Sequence, residues 1–193
     1  YDYGLGVTTD SSGNIYVTGS TGGGLDGNTN SGDYDIFLVK YNSSGTKQGT
    51  NQLGTSSSDE GSGVTTDSSG NIYVTGFTGG GLDGNTSSGK EDIILVKYNS
   101  SGTKQWTKQL GTSSLDEGND ITIDSSGNIY VTGYTGGGLD GNTSSGSGDI
   151  FIVKYDSSGT KQWTKQLGTS SGDVGMGVTT DSSDNIYVTG YTE

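Results

Sequence analysis

The chain has 193 residues, a net charge of −13, 26% hydrophobic residues and no histidine, cysteine, proline or arginine. This acidic balance argues against binding to nucleic acid or anionic membranes, because basic clusters are the signature of both. No apolar run is long enough for membrane insertion, and the composition rules out disulfides and catalysis by histidine or cysteine.

One short sequence organises the chain. Asp-Ser-Ser-Gly-Asn-Ile-Tyr-Val-Thr-Gly occurs at residues 10–19, 67–76 and 124–133, and a fourth copy at 181–190 carries Asp184 in place of the first glycine. The copies recur every 57 residues, and a fixed period of that size is typical of propellers, solenoids or arrays. We therefore divide the chain into a single repeat array. Its units are approximately 2–58, 59–115 and 116–172, with a half unit at 173–193.

The second unit shows the predicted elements most clearly. Gly63–Thr66 is predicted as a short first strand, and Asp67–Asn71 as a tight turn with glycine at positive φ. Ile72–Thr78 is predicted as an alternating second strand and is rich in β-branched and aromatic residues. After a long polar loop, Asp92–Tyr98 is continuously apolar, which is typical of a strand covered on both faces.

A fourth strand completes the unit. Asn99–Gly102 is a predicted turn, and Thr103–Leu110 is a predicted outer strand with an alternating, half-exposed pattern. Four such strands have about the length of one propeller blade. The predicted fold is all-β, a β-propeller-type repeat with four-stranded antiparallel blades of 57 residues and about 3.5 blades. An open β-solenoid-like stack of meanders is the alternative, since closure is not written in the sequence.

The repeated run resembles a known family. Asp-Ser-Ser-Gly-Asn-Ile-Tyr-Val-Thr-Gly, followed by Asp-Ile-Phe-Leu-Val-Lys-Tyr at 35–41, is similar to the bacterial β-propeller repeat called SBBP. The resemblance covers essentially the whole chain. It implies a propeller-type fold in secreted or bacterial cell-surface proteins, and hence an extracellular or cell-surface location. The family brings no catalytic motif, so no catalytic residue is assigned and the chain is predicted not to be an enzyme.

The long loop between the second and third strands is the candidate metal site. In each unit it places oxygen-bearing side chains at alternate positions, and Ca²⁺ takes six to eight oxygen ligands. The pattern departs from an EF-hand loop, because glycine stands seventh and Phe37 stands at position twelve. The alternative is a solvated turn whose aspartates accept backbone N–H groups. The candidate calcium ligands are Asp26, Asn28, Asn30 and Asp35 in the first unit, Asp83, Asn85, Ser87 and Asp92 in the second, and Asp140, Asn142, Ser144 and Asp149 in the third.

Two further sets of residues recur. Acidic residues at the unit boundaries would form either an acidic crown on one face or solvated turns between blades; they are Asp2, Asp59, Glu60, Asp116, Glu117 and Asp173. Trp106 and Trp163 offer stacking surfaces for sugar rings, or else pack the outer strand against the neighbouring blade. The first unit has Gly49 at this position, so any sugar pocket would be missing there.

The leading functional prediction is a non-catalytic extracellular structural or adhesive scaffold. Three and a half units leave Ile186–Thr189 as an unpaired edge, which favours association. The predicted partners are therefore another copy of the chain or further repeats of a longer chain. The alternative is a multivalent carbohydrate- or protein-binding module with calcium-stabilised loops. Nucleic acid is not predicted as a partner.

Overall fold

A computed structural model describes all residues from 1 to 193. Its strands form three four-stranded antiparallel sheets and one two-stranded sheet, each in chain order. The predicted all-β architecture is therefore confirmed, with three blades and a half blade in the chain. A short 3₁₀ turn follows the second strand of each complete blade. No helix is long and apolar enough to cross a membrane.

The elements are bounded as follows. The first blade contains β1 (Asp2–Thr9), β2 (Ile15–Thr21), β3 (Asp35–Tyr41) and β4 (Lys47–Leu53). The second contains β5 (Asp59–Thr66), β6 (Ile72–Thr78), β7 (Asp92–Tyr98) and β8 (Lys104–Leu110). The third contains β9 (Asp116–Ile123), β10 (Ile129–Thr135), β11 (Asp149–Tyr155) and β12 (Lys161–Leu167). The half blade contains β13 (Asp173–Thr180) and β14 (Ile186–Thr192), and the 3₁₀ turns are Leu25–Gly27, Leu82–Gly84 and Leu139–Gly141.

The predicted first strand was too short. The second and third strands have the predicted bounds, and the fourth begins one residue later than predicted, but β5 begins at Asp59 rather than Gly63. Its first residues pair with the end of β6, with Asp59 opposite Thr78, and the register shifts between Gly61 and Gly63. Acidic and glycine residues have low β propensity, so pairing with a neighbouring strand decides the structure here.

The hydrophobic core lies between blades. In the second blade one face of the second and third strands packs on the first blade, and the other face packs on the third blade. The core between the first and second blades contains Tyr16, Ile36, Leu38, Val64, Ile72, Val74, Leu82, Ile94, Val96 and Tyr98. The core between the second and third contains Tyr73, Ile93, Leu95, Ile121, Ile129, Val131, Leu139, Phe151, Val153 and Tyr155.

Close contact with the preceding blade explains a glycine in the first strands β5, β9 and β13. A Cβ atom on Gly118 would lie 2.5 Å from Oγ1 of Thr75 in the preceding blade. That hydroxyl is fixed, because it donates to the Ile94 carbonyl at 2.8 Å. A larger residue at this position would push the blades apart, since the Thr75 hydroxyl cannot move away from the added side chain without losing its hydrogen bond.

Candidate functional site

The repeated Asp-Ser-Ser-Gly-Asn sequence forms a tightly bonded turn. In the second blade, Asp67 Oδ1 accepts the backbone N–H groups of Ser69 and Asn71, both at 2.9 Å. Its Oδ2 accepts Asn71 Nδ2 at 2.7 Å and the Tyr73 hydroxyl at 3.0 Å. Burial raises the pKa of Asp67, but these bonds outweigh it and hold the pKa below its usual value. The most conspicuous sequence of the chain is therefore a structural turn.

The long loops, where calcium was predicted, are bonded to their own blades. In the second blade both carboxylate oxygens of Asp83 are occupied, one by the Lys104 ammonium and one by the Thr107 hydroxyl. Asn85 Nδ2 donates to the Leu82 carbonyl at 2.8 Å, which closes the 3₁₀ turn. The same contacts recur for Asp26 with Lys47 and Thr50, and for Asp140 with Lys161 and Thr164.

The last predicted ligand of each loop lies in a different environment. Asp92 is buried at the start of β7, where Oδ2 accepts the Ser88 N–H and Gln109 Nε2, both at 2.7 Å. Its Oδ1 has no hydrogen-bond partner, and Gly111 lies directly against it. Asp35 and Asp149 have equivalent positions in the other blades.

The structure groups no three acidic side chains as metal ligands. Asn30, Ser87 and Ser144 bond to carbonyl oxygens of their own loops, and Asn28 and Asn142 repeat the turn contact made by Asn85. Calcium binding stays a prediction, and it would require the lysine to leave each loop aspartate.

Three of the four recurrent boundary aspartates form neither a crown nor solvated turns, so both predictions were wrong for them, whereas Asp2 is exposed. Asp59, Asp116 and Asp173 are buried at the start of β5, β9 and β13. Asp59 Oδ2 accepts the Thr55 N–H at 2.6 Å, and Oδ1 accepts the Thr78 hydroxyl. Burial raises the pKa of Asp59. The sequence analysis expected these aspartates at the surface, because their burial depends on a loop that folds over them and that the local sequence does not show.

The neighbouring glutamates do form part of a cavity. Glu60 and Glu91 line a cavity of about 320 Å³ together with Tyr34 and Phe77. Ser20 of the first blade donates to Glu60 of the second at 3.2 Å, so this surface crosses a blade boundary. We give the name acidic groove to four of the eight residues that line this cavity, Tyr34, Glu60, Phe77 and Glu91.

Glu117 extends the acidic groove toward the third blade. Its pKa is raised to about 7 by burial first, then by a hydrogen bond with Glu91 and by the charges of Glu91 and Glu60. The sequence analysis placed Glu60 and Glu117 together in the predicted crown but did not join Glu91 to them, because Glu91 lies in the long loop of the second unit. The signal that could have found it is the break in the repeat, where Tyr34 in the first unit corresponds to Glu91 in the second.

Trp106 packs against the neighbouring blade rather than forming an open platform, as the second of the two interpretations held, whereas Trp163 contacts Tyr130 of its own blade. Trp106 is partly buried, with its ring centroid 6.1 Å from that of Tyr73 in an edge-on arrangement. A Cβ atom on Gly159 of the next blade would lie 3.0 Å from its indole, so that turn covers it. In the first blade, where Gly49 replaces tryptophan, a cavity of about 140 Å³ remains between Tyr16 and the next blade.

The stacked four-stranded sheets and their repeated turns define a β-propeller repeat protein. The model of the SBBP beta-propeller repeat matches residues 1–26, 48–83, 105–140 and 162–193. These matches cover more than half of the chain, so the chain belongs to the SBBP family of β-propeller repeats.

Comparison with curated proteins gives two relatives. The chain is 32% identical to an uncharacterized WD repeat-containing protein of Acanthamoeba polyphaga mimivirus, over 72% of this chain and 13% of that protein. It is 27% identical to the regulatory protein FlaEY of Caulobacter vibrioides, over 84% of this chain and 20% of that protein. The chain thus spans a fifth or less of each relative.

Two solved structures align with the chain. A luciferin-regenerating enzyme aligns with a TM-score of 0.50 and 14% identity, over 95% of this chain and 52% of that one. A protein of unknown function from Bacteroides caccae aligns with a TM-score of 0.49 and 10% identity, over 97% of this chain and 53% of that one. At this identity the likeness of the luciferin-regenerating enzyme concerns the fold alone.

Proposed function

We propose that this chain is a non-catalytic structural or adhesive scaffold at the bacterial cell surface or outside the cell, and that it self-associates through its open end. One observation carries the proposal: the exposed large hydrophobic residues lie only at the two ends of the blade stack. At the first end they are Tyr1, Tyr3, Leu5 and Val7, and at the last end Leu167, Met176, Tyr187, Val188 and Tyr191.

The two ends correspond to the two sides of an internal blade boundary. Val64 of β5 is 8% exposed because it packs on the first blade, whereas its equivalent Val7 is 68% exposed. Tyr73 of β6 is buried under the third blade, whereas its equivalent Tyr187 is exposed. A head-to-tail contact between copies would rebuild this kind of boundary. Such heterologous contacts produce rings or filaments.

Chemistry and family membership support the rest of the proposal. The buried aspartates bond to threonine, glutamine and backbone groups in every blade, which is how structural carboxylates are used. The chain offers no histidine or cysteine as a base or nucleophile. An extracellular or cell-surface location is what the SBBP resemblance implies, and an acidic surface suits a soluble scaffold.

Self-association is tested by light scattering over a range of concentrations. The native mass should rise above 19.7 kDa with concentration, and Val7→Asp should return it to the single-chain value. Ser43→Asp, in an exposed turn of the first blade, is the matched charge control and should associate like the parent chain. A single-chain mass at every concentration would contradict self-association.

A multivalent binding module is the second candidate, and the acidic groove favours it. The two carboxylates and two aromatic rings of the groove, in a cavity that Tyr3 and Asp59 also line, suit a lysine- or arginine-bearing protein segment, by charge and by cation–π contact. A screen of glycan and matrix proteins should then give hits that Glu60→Gln together with Glu91→Gln removes. If calcium rigidifies the loops, EDTA should weaken those hits as well; a blank screen leaves only the scaffold.

A further inference from the structure

The boundary between the first and second blades contains a cavity of about 140 Å³. Its apolar wall consists of the buried side chains of Leu38 and Ile72 and the ring of Tyr16. The Tyr16 ring is held in place, because its hydroxyl donates to Asp10 Oδ2 at 3.0 Å. Both blades that enclose the cavity are complete four-stranded sheets, so its walls do not depend on the ends of the blade stack.

The next boundary shows which chemical group fits this space. All residues that line the cavity, except Gly49 and Asn51, are identical to the residues 57 positions later. The equivalent of Gly49 is Trp106, whose indole packs against the core of its boundary. The indole lies 6.1 Å from the Tyr73 ring, centroid to centroid, and 6.0 Å from Lys97 Nζ. The first boundary thus has the walls of an indole-binding cleft without the indole side chain.

The turn that covers the cavity keeps its shape without an indole beneath it. Gly102 in this turn and its equivalent Gly159 have positive φ angles of 83° and 79°. Each glycine N–H donates to the carbonyl three residues earlier, at 2.8 Å and 2.9 Å respectively. Lys40 Nζ also donates to the Ser100 carbonyl at 2.9 Å, which ties the turn to the first blade. A cleft formed in advance binds its ligand at a lower ordering cost.

The backbone does not require a glycine at position 49. Gly49 does not have a positive φ, and a Cβ atom there would meet no atom within 4 Å. It lies opposite Lys40, as Trp106 lies opposite Lys97 in the second blade. Lys40 Nζ lies over the Tyr16 ring, 5.5 Å from its centroid. A cation in this position also attracts the face of a second aromatic ring.

We propose that this cleft binds a small, flat aromatic compound of the indole class, held by the Tyr16 ring, the Lys40 ammonium and the turn at Gly102. The size is suitable, because apolar cavities of about 150 Å³ bind benzene. The amide groups of Gln48 and Asn51 also line the cleft and offer hydrogen bonds to a ring N–H or a polar substituent. The inference goes beyond the proposed scaffold function and does not depend on it.

The test titrates the isotope-labelled chain with indole, and with cyclohexanol as the non-aromatic control, and follows the backbone amides by NMR. Indole should shift the amides of Gly49 and Gly102 saturably, with a Kd on the order of 1 mM or lower for a ligand of this size. Cyclohexanol should bind about tenfold more weakly, because it lacks the aromatic and cation–π contacts. Equal affinity for the two compounds, or no saturable shift at these amides, would overturn the proposal.

Variants of the protein locate the ligand in the cleft. Gly49→Trp fills the space with an indole of the chain itself and should abolish saturable binding. Gly23→Trp, in a surface loop with no atom within 4 Å of its Cβ, should bind indole like the parent chain. Lys40→Met should weaken binding about two- to fivefold, whereas Lys90→Met, at an exposed loop position, should not. Unchanged binding by Gly49→Trp would contradict the proposal.

A second site can be created at the next boundary. Trp106→Gly removes the indole there, so this variant should bind two indole molecules and show a shift at the Gly159 amide as well. Indole should also restore part of the melting temperature that the substitution lowers, because it binds the folded state. A folded Trp106→Gly chain with a single site would overturn the proposal, and the titration of the parent chain needs no folded variant. The cleft lies away from both ends of the blade stack, so failure of these experiments leaves the proposed self-association untouched.

Discussion

The boundary between the second and third blades and the boundary between the third blade and the half blade have nearly the same sequence but different burial. Ile93 is fully buried at the first boundary, whereas the matching Ile150 is partly exposed at the second. Trp106 is covered by the Gly159 turn of the next blade, while the half blade ends before the equivalent turn. Burial in this chain is therefore set by the neighbouring blade and not by a residue's own strand.

The boundary between the first and second blades is intermediate. Its core is covered, with Ile36 and Leu38 fully buried. However, Gly49 leaves a cavity where Trp106 packs in the next unit. We call the boundary between the second and third blades complete, the boundary between the first and second blades hollow, and the boundary between the third blade and the half blade open. Comparing the three separates the effect of the sequence from the effect of coverage by a neighbouring blade.

The largest expected effect separates the complete boundary from the open one. Ile93→Ala should lower the free energy of unfolding by about 2–5 kcal/mol, because it removes buried methyl groups and leaves a cavity. Ile150→Ala should cost less than half as much, since its side chain is already partly in water. Urea unfolding followed by circular dichroism measures both. Equal losses would show that the open boundary is covered in solution.

Filling the hollow boundary should give a gain. A Cβ atom on Gly49 meets no atom within 4 Å, and the cavity beside it is lined by Tyr16 and by Ser101 of the next blade. Gly49→Trp should therefore stabilise the chain by about 0.5–2 kcal/mol, as cavity-filling changes commonly do. Gly23→Trp, in a surface loop with no atom near its Cβ, serves as the control. A loss of stability would mean that the first boundary packs differently.

The same series shows which features could be predicted from the sequence. β6 and β7 were predicted with correct bounds, because their β-branched and aromatic residues carry the pattern within the strand itself. The buried position of Asp59 was not predicted, since it depends on the Thr55 loop and on pairing with Thr78. The meeting of Glu60 with Tyr34 and Glu91 in the acidic groove was not predicted for a similar reason, because the groove crosses a blade boundary. The local pattern of residues predicts the strands, whereas contacts between blades can be identified only from the three-dimensional structure.

A smaller effect concerns pH and distinguishes the complete boundary from the open one. The pKa of Glu117 is raised to about 7 in the folded chain, whereas in the unfolded chain the carboxyl group has its ordinary pKa of 4.5. The folded chain therefore binds more protons between these values, and stability should fall as pH rises through this window. Glu117→Gln should reduce that slope in urea unfolding from pH 5 to 8. At the open boundary the equivalent residue is Val174, so this carboxyl effect is absent there.

The smallest effect is expected at the loop lysines, which make the same contact in the second and third blades. Lys104 and Lys161 each bond an aspartate at partly exposed positions, and exposed pairs contribute about 0–1 kcal/mol. Lys104→Met and Lys161→Met should thus lower the melting temperature slightly and equally, because coverage of the boundary does not reach these loops. Melts with millimolar calcium and with EDTA test the calcium prediction directly. A higher melting temperature of the parent chain in calcium would show that the ion displaces the lysines, whereas a rise confined to the methionine variants would show that the lysines hold the sites.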